Sequence, residues 1–248
     1  MNKTLPPLRY QSIGQGETIV LIHGYVSDSK YWKPVLPYLT TKYQVVTIDL
    51  LGFGRSPKPK RANYSLEEHA AAVYQTLESL GIDQAILVGH SMGSIVSAEL
   101  ARTHPSLVKQ LYLLNMPIYT SPSQAMEELA STNRIYRHVL LSKRGRPAWV
   151  ASKLLARVGP KKLRRTYSAK HTHNSRRGSL QNTIAATDSL SLLQRTTVPT
   201  VLIEGLYDRT IYQKNLRNIS LPENIELRWV QTGHHSIHSS RFSIAKML

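Results

Sequence analysis

The sequence predicts an α/β fold with a mostly parallel central sheet, helices on both faces and an inserted helical lid. Two observations predict it. Apolar strand patterns alternate with helical patterns along most of the 248 residues, which is typical of a parallel sheet built from βαβ units. Residues 117–180 interrupt this alternation with helical patches and no convincing strand. We therefore expect a core in two parts, residues 1–116 and 181–248, with a lid at 117–180.

The first part of the core opens with two short apolar runs. The Gly14-Gln15-Gly16 sequence between them opens no helix, so it predicts a turn and no dinucleotide-binding loop. Ser65 is a good N-cap for a helix, and Gly81 is a good stop. The elements expected in this part are strands at Leu8–Ile13, Thr18–Ile22 and Gln44–Asp49, and helices at Tyr31–Leu39 (despite Pro34 and Pro37) and from Ser65 to about Leu80.

The most informative local pattern is a strand, a turn and a helix around Ser91. The apolar run Ala85–Val88 predicts a buried strand, and Ser94–Ala101 predicts a helix. Between them stands Gly89-His90-Ser91-Met92-Gly93. A G-x-S-x-G sequence in this context predicts a nucleophile elbow, whose sharp turn needs small neighbours. The alternative is a glycine-rich turn that binds nothing.

An acid and a histidine follow later strands. Val201–Asp208 predicts a strand and then a loop that carries an acid, and Leu227–His234 predicts a strand followed by a glycine and a histidine. Serine, acid and histidine in this chain order are typical of α/β-hydrolase triads. The remaining expected elements are a strand at Gln110–Asn115, a short helix capped at Thr187-Asp188 and a helix around Phe242–Leu248.

These motifs together resemble the α/β-hydrolase superfamily, in its lid-bearing branch of serine esterases and lipases. Besides the serine turn, four segments carry the resemblance. They are Leu21–Tyr25 (similar to the oxyanion-hole loop), Asp49–Ser56 (D-x-x-G-x-G-x-S), Gly205–Asp208 (G-x-x-D) and Gly233-His234. The motifs are specific for the fold and unspecific for the substrate.

The resemblance implies a role for each matched residue. Ser91 is the expected nucleophile, His234 the base that takes its proton, and Asp208 the acid that orients the histidine. The backbone N–H groups of Met92 and Tyr25 are the expected oxyanion-hole donors. No metal and no cofactor are expected for this chemistry.

Each of the two triad partners has rivals nearby. His235 and His238 compete with His234, and the three histidines could instead form a metal site. No matching acid or ligand from a third element accompanies them, so a metal is not expected. The rival acids are Glu204, expected to make structural contacts, Asp188, expected to cap a helix, and Asn115, which holds an alternative family acid position but is not acidic.

Several further motif residues are expected to be structural. His23 is interpreted as a structural histidine, and the Tyr25 side chain as packing in the pocket wall. Asp49, Gly52 and Gly54 are expected to shape a tight loop without a chemical role.

Positive charge is concentrated in the predicted lid. The chain carries a net charge of +17, and residues 117–180 hold 14 of its 32 Lys and Arg but only 2 of its 15 Asp and Glu. Such concentration favours an anionic surface, substrate or product, although a solvated face is the ordinary alternative. We expect peripheral contact with anionic membrane through the lid. No specific nucleic-acid partner is expected, because stacking aromatics are not interleaved with the basic residues.

Cysteine content and the distribution of apolar residues indicate the cellular compartment that we expect. The chain has no cysteine, which excludes disulfides and thiolate chemistry and fits a reducing compartment. The N-terminal residues lack an apolar signal-peptide core, and no apolar run approaches the roughly 18 residues of a membrane span. A cytoplasmic protein is therefore expected, with peripheral membrane contact through the basic lid.

The predicted function is hydrolysis of a carboxylic ester through an acyl-enzyme intermediate. The basic lid favours a lipid-like ester, such as a lysophospholipid or a monoacylglycerol. Ser91 argues against relatives that cleave carbon–halogen bonds or epoxides, which carry Asp at the elbow. Two alternatives remain open: a carbon–carbon bond hydrolase or perhydrolase with the same triad, and a non-catalytic basic module that binds membrane or nucleic acid.

Overall fold

The computed structural model describes residues 7–132, 167–208, 213–217 and 219–248, together with Val150, Leu154, Arg157 and Val158. Within these residues one seven-stranded sheet has the strand order β1-β3-β2-β4-β5-β6-β7. Strand β1 pairs with β3 in antiparallel fashion, and every other neighbouring pair is parallel. The strands are β1 (Tyr10–Ile13), β2 (Glu17–Ile22), β3 (Tyr43–Ile48), β4 (Ala85–His90), β5 (Val108–Leu114), β6 (Thr200–Gly205) and β7 (Ile225–Val230).

Helices follow or precede most strands, and this confirms the predicted α/β class. Short 3-10 turns lie at Ser29–Trp32 and Pro105–Leu107, and a π-helical turn at Ser179–Ile184 continues α5. The α-helices in the described part of the chain are α1 (Leu36–Leu39), α2 (Leu66–Ser79), α3 (Met92–Thr103), α4 (Pro122–Thr132), α5 (His173–Gly178), α6 (Ser189–Gln194), α7 (Gln213–Arg217), α8 (Ser236–Ser239) and α9 (Arg241–Met247).

Two apolar layers sandwich the sheet, because successive side chains of a strand point to opposite faces. In β2, Val20 and Ile22 join the layer that contains α2, α3 and α6. The alternate residues Ile19 and Leu21 join the layer that contains α1, α8 and α9. A strand buried on both faces must be apolar almost throughout, which explains why β2 and β4 are visible in the sequence as continuous apolar runs.

The cap residues of α2 are confirmed, whereas the predicted helix at Tyr31–Leu39 is wrong. The Ser65 side chain accepts a hydrogen bond from Glu68 N, and Gly81 has a φ of +67° beyond the helix end. Tyr31–Leu39 divides into the 3-10 turn and α1, with Pro34 between them. Proline supplies no N–H and clashes with the preceding turn, so it separates two helical pieces. Pro37, in the first turn of α1, is tolerated there.

The segment predicted as a lid is described at its two ends and at four single residues between them. Helix α4 covers the predicted helical patch Ser123–Ala130, and α5 lies near the other end of the segment. The predicted loop Ser142–Pro147 and most of the predicted helix Trp149–Val158 lie outside the described residues. The division into core and lid therefore stays a prediction. None of the helices in the described part of the chain combines the length and apolar character needed to traverse a bilayer.

Candidate active site

Ser91 lies in a strained turn between β4 and α3. Its φ of 54° and ψ of −120° are unusual for a residue with a side chain. The turn is held close to its neighbours: a Cβ added to Gly93 would lie 2.3 Å from the Ile22 carbonyl oxygen, and one added to Gly89 would lie 2.5 Å from the Gly93 carbonyl oxygen. The glycines are therefore required by close backbone approach, and Ser91 is held at the N-terminus of α3.

Three side chains from three strand ends form one hydrogen-bonded line. Ser91 follows β4, Asp208 follows β6 and His234 follows β7, all at the carboxyl edge of the parallel sheet. His234 Nε2 lies 3.0 Å from Ser91 Oγ, and His234 Nδ1 lies 2.7 Å from Asp208 Oδ2. A carboxylate accepts hydrogen bonds, so Nδ1 carries the proton and Nε2 is the nitrogen that accepts the serine proton. The structure thus brings together the three residues that the sequence singled out.

Asn115 supports the acid of this line. Its Nδ2 donates to Asp208 Oδ2 at 2.9 Å, so that this oxygen accepts from both Asn115 and His234. Asn115 has a φ of 49°, and its N–H donates to the Ile203 carbonyl of the next strand. From the sequence, Asn115 was interpreted only as a rival acid position, and its role as a donor was missed. The signal available was its place at the end of the strand that neighbours β6.

Glu204 is structural, as predicted. It is completely buried, and its Oε1 accepts a hydrogen bond from Met116 N at 2.9 Å. Burial raises the pKa of Glu204 well above its usual range, and the nearby Asp208 carboxylate raises it further. Both effects favour the protonated form of the Glu204 carboxyl group. It holds the turn that directs Asn115 towards Asp208. Asp188 caps α6 through a hydrogen bond from Ser191 N, also as predicted.

The two residues expected to supply oxyanion-hole donors belong to segments that meet at the serine turn. Met92 is the first residue of α3, where backbone N–H groups have no partner within the helix. A Cβ added to Gly24 would lie 3.0 Å from Ser91 Cβ, so the loop that leads to Tyr25 lies against the serine turn. The Tyr25 hydroxyl donates to the Arg176 carbonyl and ties this loop to α5. Both N–H groups remain proposed donors.

His23 and Asp49 make hydrogen bonds of the structural kind that the sequence predicts. His23 is buried, and its two ring nitrogens contact the Gly24 carbonyl at 2.8 Å and Leu50 N at 3.0 Å. Burial lowers the pKa of His23, although the nearby Asp49 opposes this shift. Gly52 and Gly54 have φ values of 84° and 52° in the tight loop that follows Asp49.

The other histidines near the site make different contacts from those of His234. His90 Nε2 donates to the His234 carbonyl at 2.7 Å, and its ring stacks on Tyr31 with the centroids 4.4 Å apart. Burial lowers the pKa of His90 well below its usual value, and neighbouring histidines add to the effect. The rings of His235 and His238 pack edge-on against Tyr31. The sequence analysis gave His90 no role, although its place inside the elbow motif was visible.

This geometry agrees with a comparison of the chain with known protein families. The model of the alpha/beta hydrolase fold matches residues 17–240. The chain belongs to this family. The match includes both parts of the predicted core and the segment between them.

Individual relatives of this alpha/beta hydrolase carry several hydrolase names. It is 36% identical over 111 residues to a protein named probable lysophospholipase BODYGUARD 3 from Arabidopsis thaliana, covering 43% of this chain and 22% of the relative. It is 33% identical over 157 residues to a putative carbamate hydrolase, RutD, from Escherichia coli O7:K1, covering 62% of this chain and 55% of the relative. The chain thus spans between about a fifth and about half of the length of these relatives.

Solved structures show the same fold at low identity. The crystal structure of a hydrolase from Pseudomonas aeruginosa PA01 aligns with a TM-score of 0.77 at 23% identity, covering 96% of this chain and 91% of that one. Such a likeness shows the fold alone. The family and the names of its members support a hydrolase activity. They do not specify which bond is cleaved, so that question must be argued from the geometry of the site.

Proposed function

We propose that this alpha/beta hydrolase cleaves carboxylic esters through Ser91, His234 and Asp208. The observation that carries the proposal is the hydrogen-bonded line from Ser91 Oγ through both ring nitrogens of His234 to Asp208 Oδ2. A serine hydroxyl becomes a good nucleophile when a base accepts its proton, and the base works best when an acid fixes its tautomer.

The reaction proceeds in two stages. Ser91 Oγ attacks the ester carbonyl carbon while His234 Nε2 takes the hydroxyl proton. The tetrahedral intermediate collapses, the bond to the alcohol breaks, and His234 returns the proton to the leaving alcohol. Water then attacks the acyl-enzyme with His234 again as base, which releases the acid and restores Ser91. Asp208 stabilises the imidazolium in both stages.

Backbone donors stabilise the oxyanion of each intermediate. We assign this task to the N–H groups of Met92, which directly follows Ser91, and Tyr25, which follows Gly24 in the loop against the serine turn. The N-terminus of α3 contributes a further favourable field, because a helix N-terminus carries partial positive charge. These interactions strengthen as charge develops on the carbonyl oxygen, so they lower the barrier and do more than bind substrate.

The substrate that we propose is a lipid-like ester, such as a lysophospholipid or a monoacylglycerol. The concentration of basic residues between positions 117 and 180 supports it, and so does the name of the plant relative. A carbon–carbon bond hydrolase or perhydrolase would use the same three side chains and is the alternative. A non-catalytic basic module is disfavoured by the hydrogen-bonded line itself.

Hydrolysis of p-nitrophenyl esters of increasing acyl length tests the proposal. We expect turnover by the wild type that rises with chain length, and no turnover above background by Ser91→Ala. A preference for lipid-like acyl groups should appear as a rise in kcat/KM for longer chains. If the wild type does not hydrolyse any of these esters while it cleaves a carbon–carbon bond substrate, the alternative is correct.

We also propose that the basic lid segment contacts anionic membrane, and that the protein acts in the cytoplasm, which its lack of cysteine fits. Lys161, Lys162, Arg164 and Arg165 lie outside the described residues. Each basic residue near an anionic surface contributes about 1 kcal/mol, and salt screens the effect within about 8 Å at physiological ionic strength.

Liposome co-sedimentation tests the membrane contact. We expect anionic liposomes to sediment the protein at low salt and to release it as salt rises. Reversal of the four lid charges to Glu should reduce sedimentation and preserve hydrolysis of a small ester. A matched control reverses four exposed charges outside the lid: Lys42, Arg195, Arg217 and Lys246. Equal binding to neutral liposomes, or equal losses in both variants, would mean that the charges only keep the protein soluble.

A further inference from the structure

A small pocket lies at the β1 end of the sheet and shares no lining residue with the candidate active site. Its volume is about 200 Å³, below the roughly 300–1,000 Å³ of pockets that hold drug-sized ligands. It suits a compact group. Seven of its ten lining residues are charged.

Five cations surround this pocket. They come from four separate stretches of chain. These are the residue before β1, the 3-10 turn Ser29–Trp32 with the residue after it, the loop after β3 and the segment before α5. None of them forms an ion pair with a carboxylate of the described residues. Like charges gathered around a concavity raise the local concentration of anions. The five are Arg9, Lys30, Lys33, Arg55 and Lys170.

The two acids of the pocket are engaged with backbone N–H groups. Asp28 accepts a hydrogen bond from Lys30 N at 3.0 Å. Asp49 accepts from Ser29 N at 2.7 Å and from Arg55 N at 2.8 Å. Asp49 therefore joins the 3-10 turn to the loop after β3, and so fixes two walls of the pocket that carry cations. Five cations against two carboxylates leave the lining positive.

The strand register places this pocket near Ser91. Ile48 of β3, Ile22 of β2 and Gly89 of β4 are paired in one row across the sheet. Asp49 follows the first of them, and Ser91 lies two residues after the last. Neighbouring strands are about 4.8 Å apart, so two spacings separate the strand ends by about 10 Å. An ester that places its phosphate group in the pocket would have to span a distance of this order to present its carbonyl to Ser91.

We propose that this pocket is a binding site for a phosphate group. A tetrahedral anion with several acceptor oxygens matches Arg and Lys donors that converge from different sides. The small concave shape fits a single anionic group better than an extended polymer. The group belongs either to a phosphate-bearing ester that Ser91 attacks or to free phosphate. The site does not depend on the proposed ester hydrolysis.

Calorimetric titration with inorganic phosphate, at low and constant ionic strength, tests the site in the wild type and in Ser91→Ala. Both should bind phosphate equally. A triple variant, Arg9→Gln with Lys33→Gln and Lys170→Gln, should bind at least about tenfold more weakly, since each exposed ion pair contributes roughly two- to fivefold in affinity. A second triple variant provides the matched control, with the same loss of charge at exposed positions elsewhere: Lys42→Gln, Arg217→Gln and Lys246→Gln.

The control variant distinguishes a specific phosphate site in the pocket from general attraction of phosphate to a positively charged protein. Phosphate binding that survives in the control and falls in the pocket variant supports the site. No binding by the wild type, or equal losses in both triple variants, overturns it. The titration measures phosphate binding in Ser91→Ala as well as in the wild type, and it does not depend on catalysis. Its result can therefore be interpreted even if the ester-hydrolase proposal is wrong.

Kinetics with two matched esters distinguish the sources of the phosphate group. A monoacylglycerol and its phosphorylated counterpart share an acyl chain and differ by the phosphate. A rise in KM of the pocket variant for the phosphorylated ester alone means that the substrate supplies the group. Unchanged KM values, together with weakened phosphate binding, mean that free phosphate is the ligand.

Discussion

Replacement of Ser91 by alanine is expected to abolish ester hydrolysis, with a loss of roughly three or more orders of magnitude in kcat, as for loss of a triad nucleophile. Only a serine whose proton is accepted by a positioned base reacts readily with a fluorophosphonate probe. The wild type should therefore be labelled once per chain, and Ser91→Ala should not be labelled. Mass spectrometry of the labelled peptide checks the position.

Ser97 in α3 offers a matched control for this experiment. It is a buried serine on the same helix, and its Oγ donates to the Gly93 carbonyl at 2.8 Å. Ser97→Ala should keep both the label and the activity, apart from a modest loss of stability. Labelling that persists in Ser91→Ala would exclude Ser91 as the nucleophile and would remove the basis of the proposed mechanism.

Loss of His234 is the second large effect. His234→Ala removes the group that accepts the Ser91 proton, and it leaves the buried Asp208 carboxylate without its histidine. We expect kcat/KM for a p-nitrophenyl ester to fall by roughly three or more orders of magnitude, as for loss of a triad base. Substrate binding should change much less, because the side chain acts mainly on the proton.

The neighbouring histidines are the controls for the assignment of His234 as the base. His235→Ala and His238→Ala should each lose far less activity, since their rings pack on Tyr31 and do not bridge Ser91 to Asp208. Circular dichroism should first show that all three variants are folded. A His235→Ala variant as inactive as His234→Ala would place the base one residue later than proposed.

Local patterns were enough to predict most of the sheet and the three aligned side chains. Strands buried on both faces appear as apolar runs, as in β2 and β4. The serine turn can be recognised in the sequence because close backbone approach requires glycine at positions 89 and 93. Asp208 and His234 could be found because each lies a few residues beyond a strand. Parallel strands bring such positions to one edge of the sheet.

Proline showed the limit of local reasoning. The sequence predicted one short helix at Tyr31–Leu39 despite its two prolines, yet the chain forms a 3-10 turn and then α1. Both pieces bury apolar residues, Trp32 and Leu39 among them, in the same layer beneath the sheet. The segment is therefore helical in two pieces and not continuous, because Pro34 lacks the N–H that a continuous helix would need.

The sequence by itself determined the fold class, the serine turn and the candidate acid and base, because each depends on residues close together in the chain. Only the tertiary structure decided what surrounds them. Asn115 contacts Asp208 across 93 positions, Glu204 holds Met116 across 88, and His90 reaches the His234 carbonyl across 144. The cations around Asp49 likewise come from four separate stretches. Such partners meet only when strands pair and layers pack, and no local pattern carries that information.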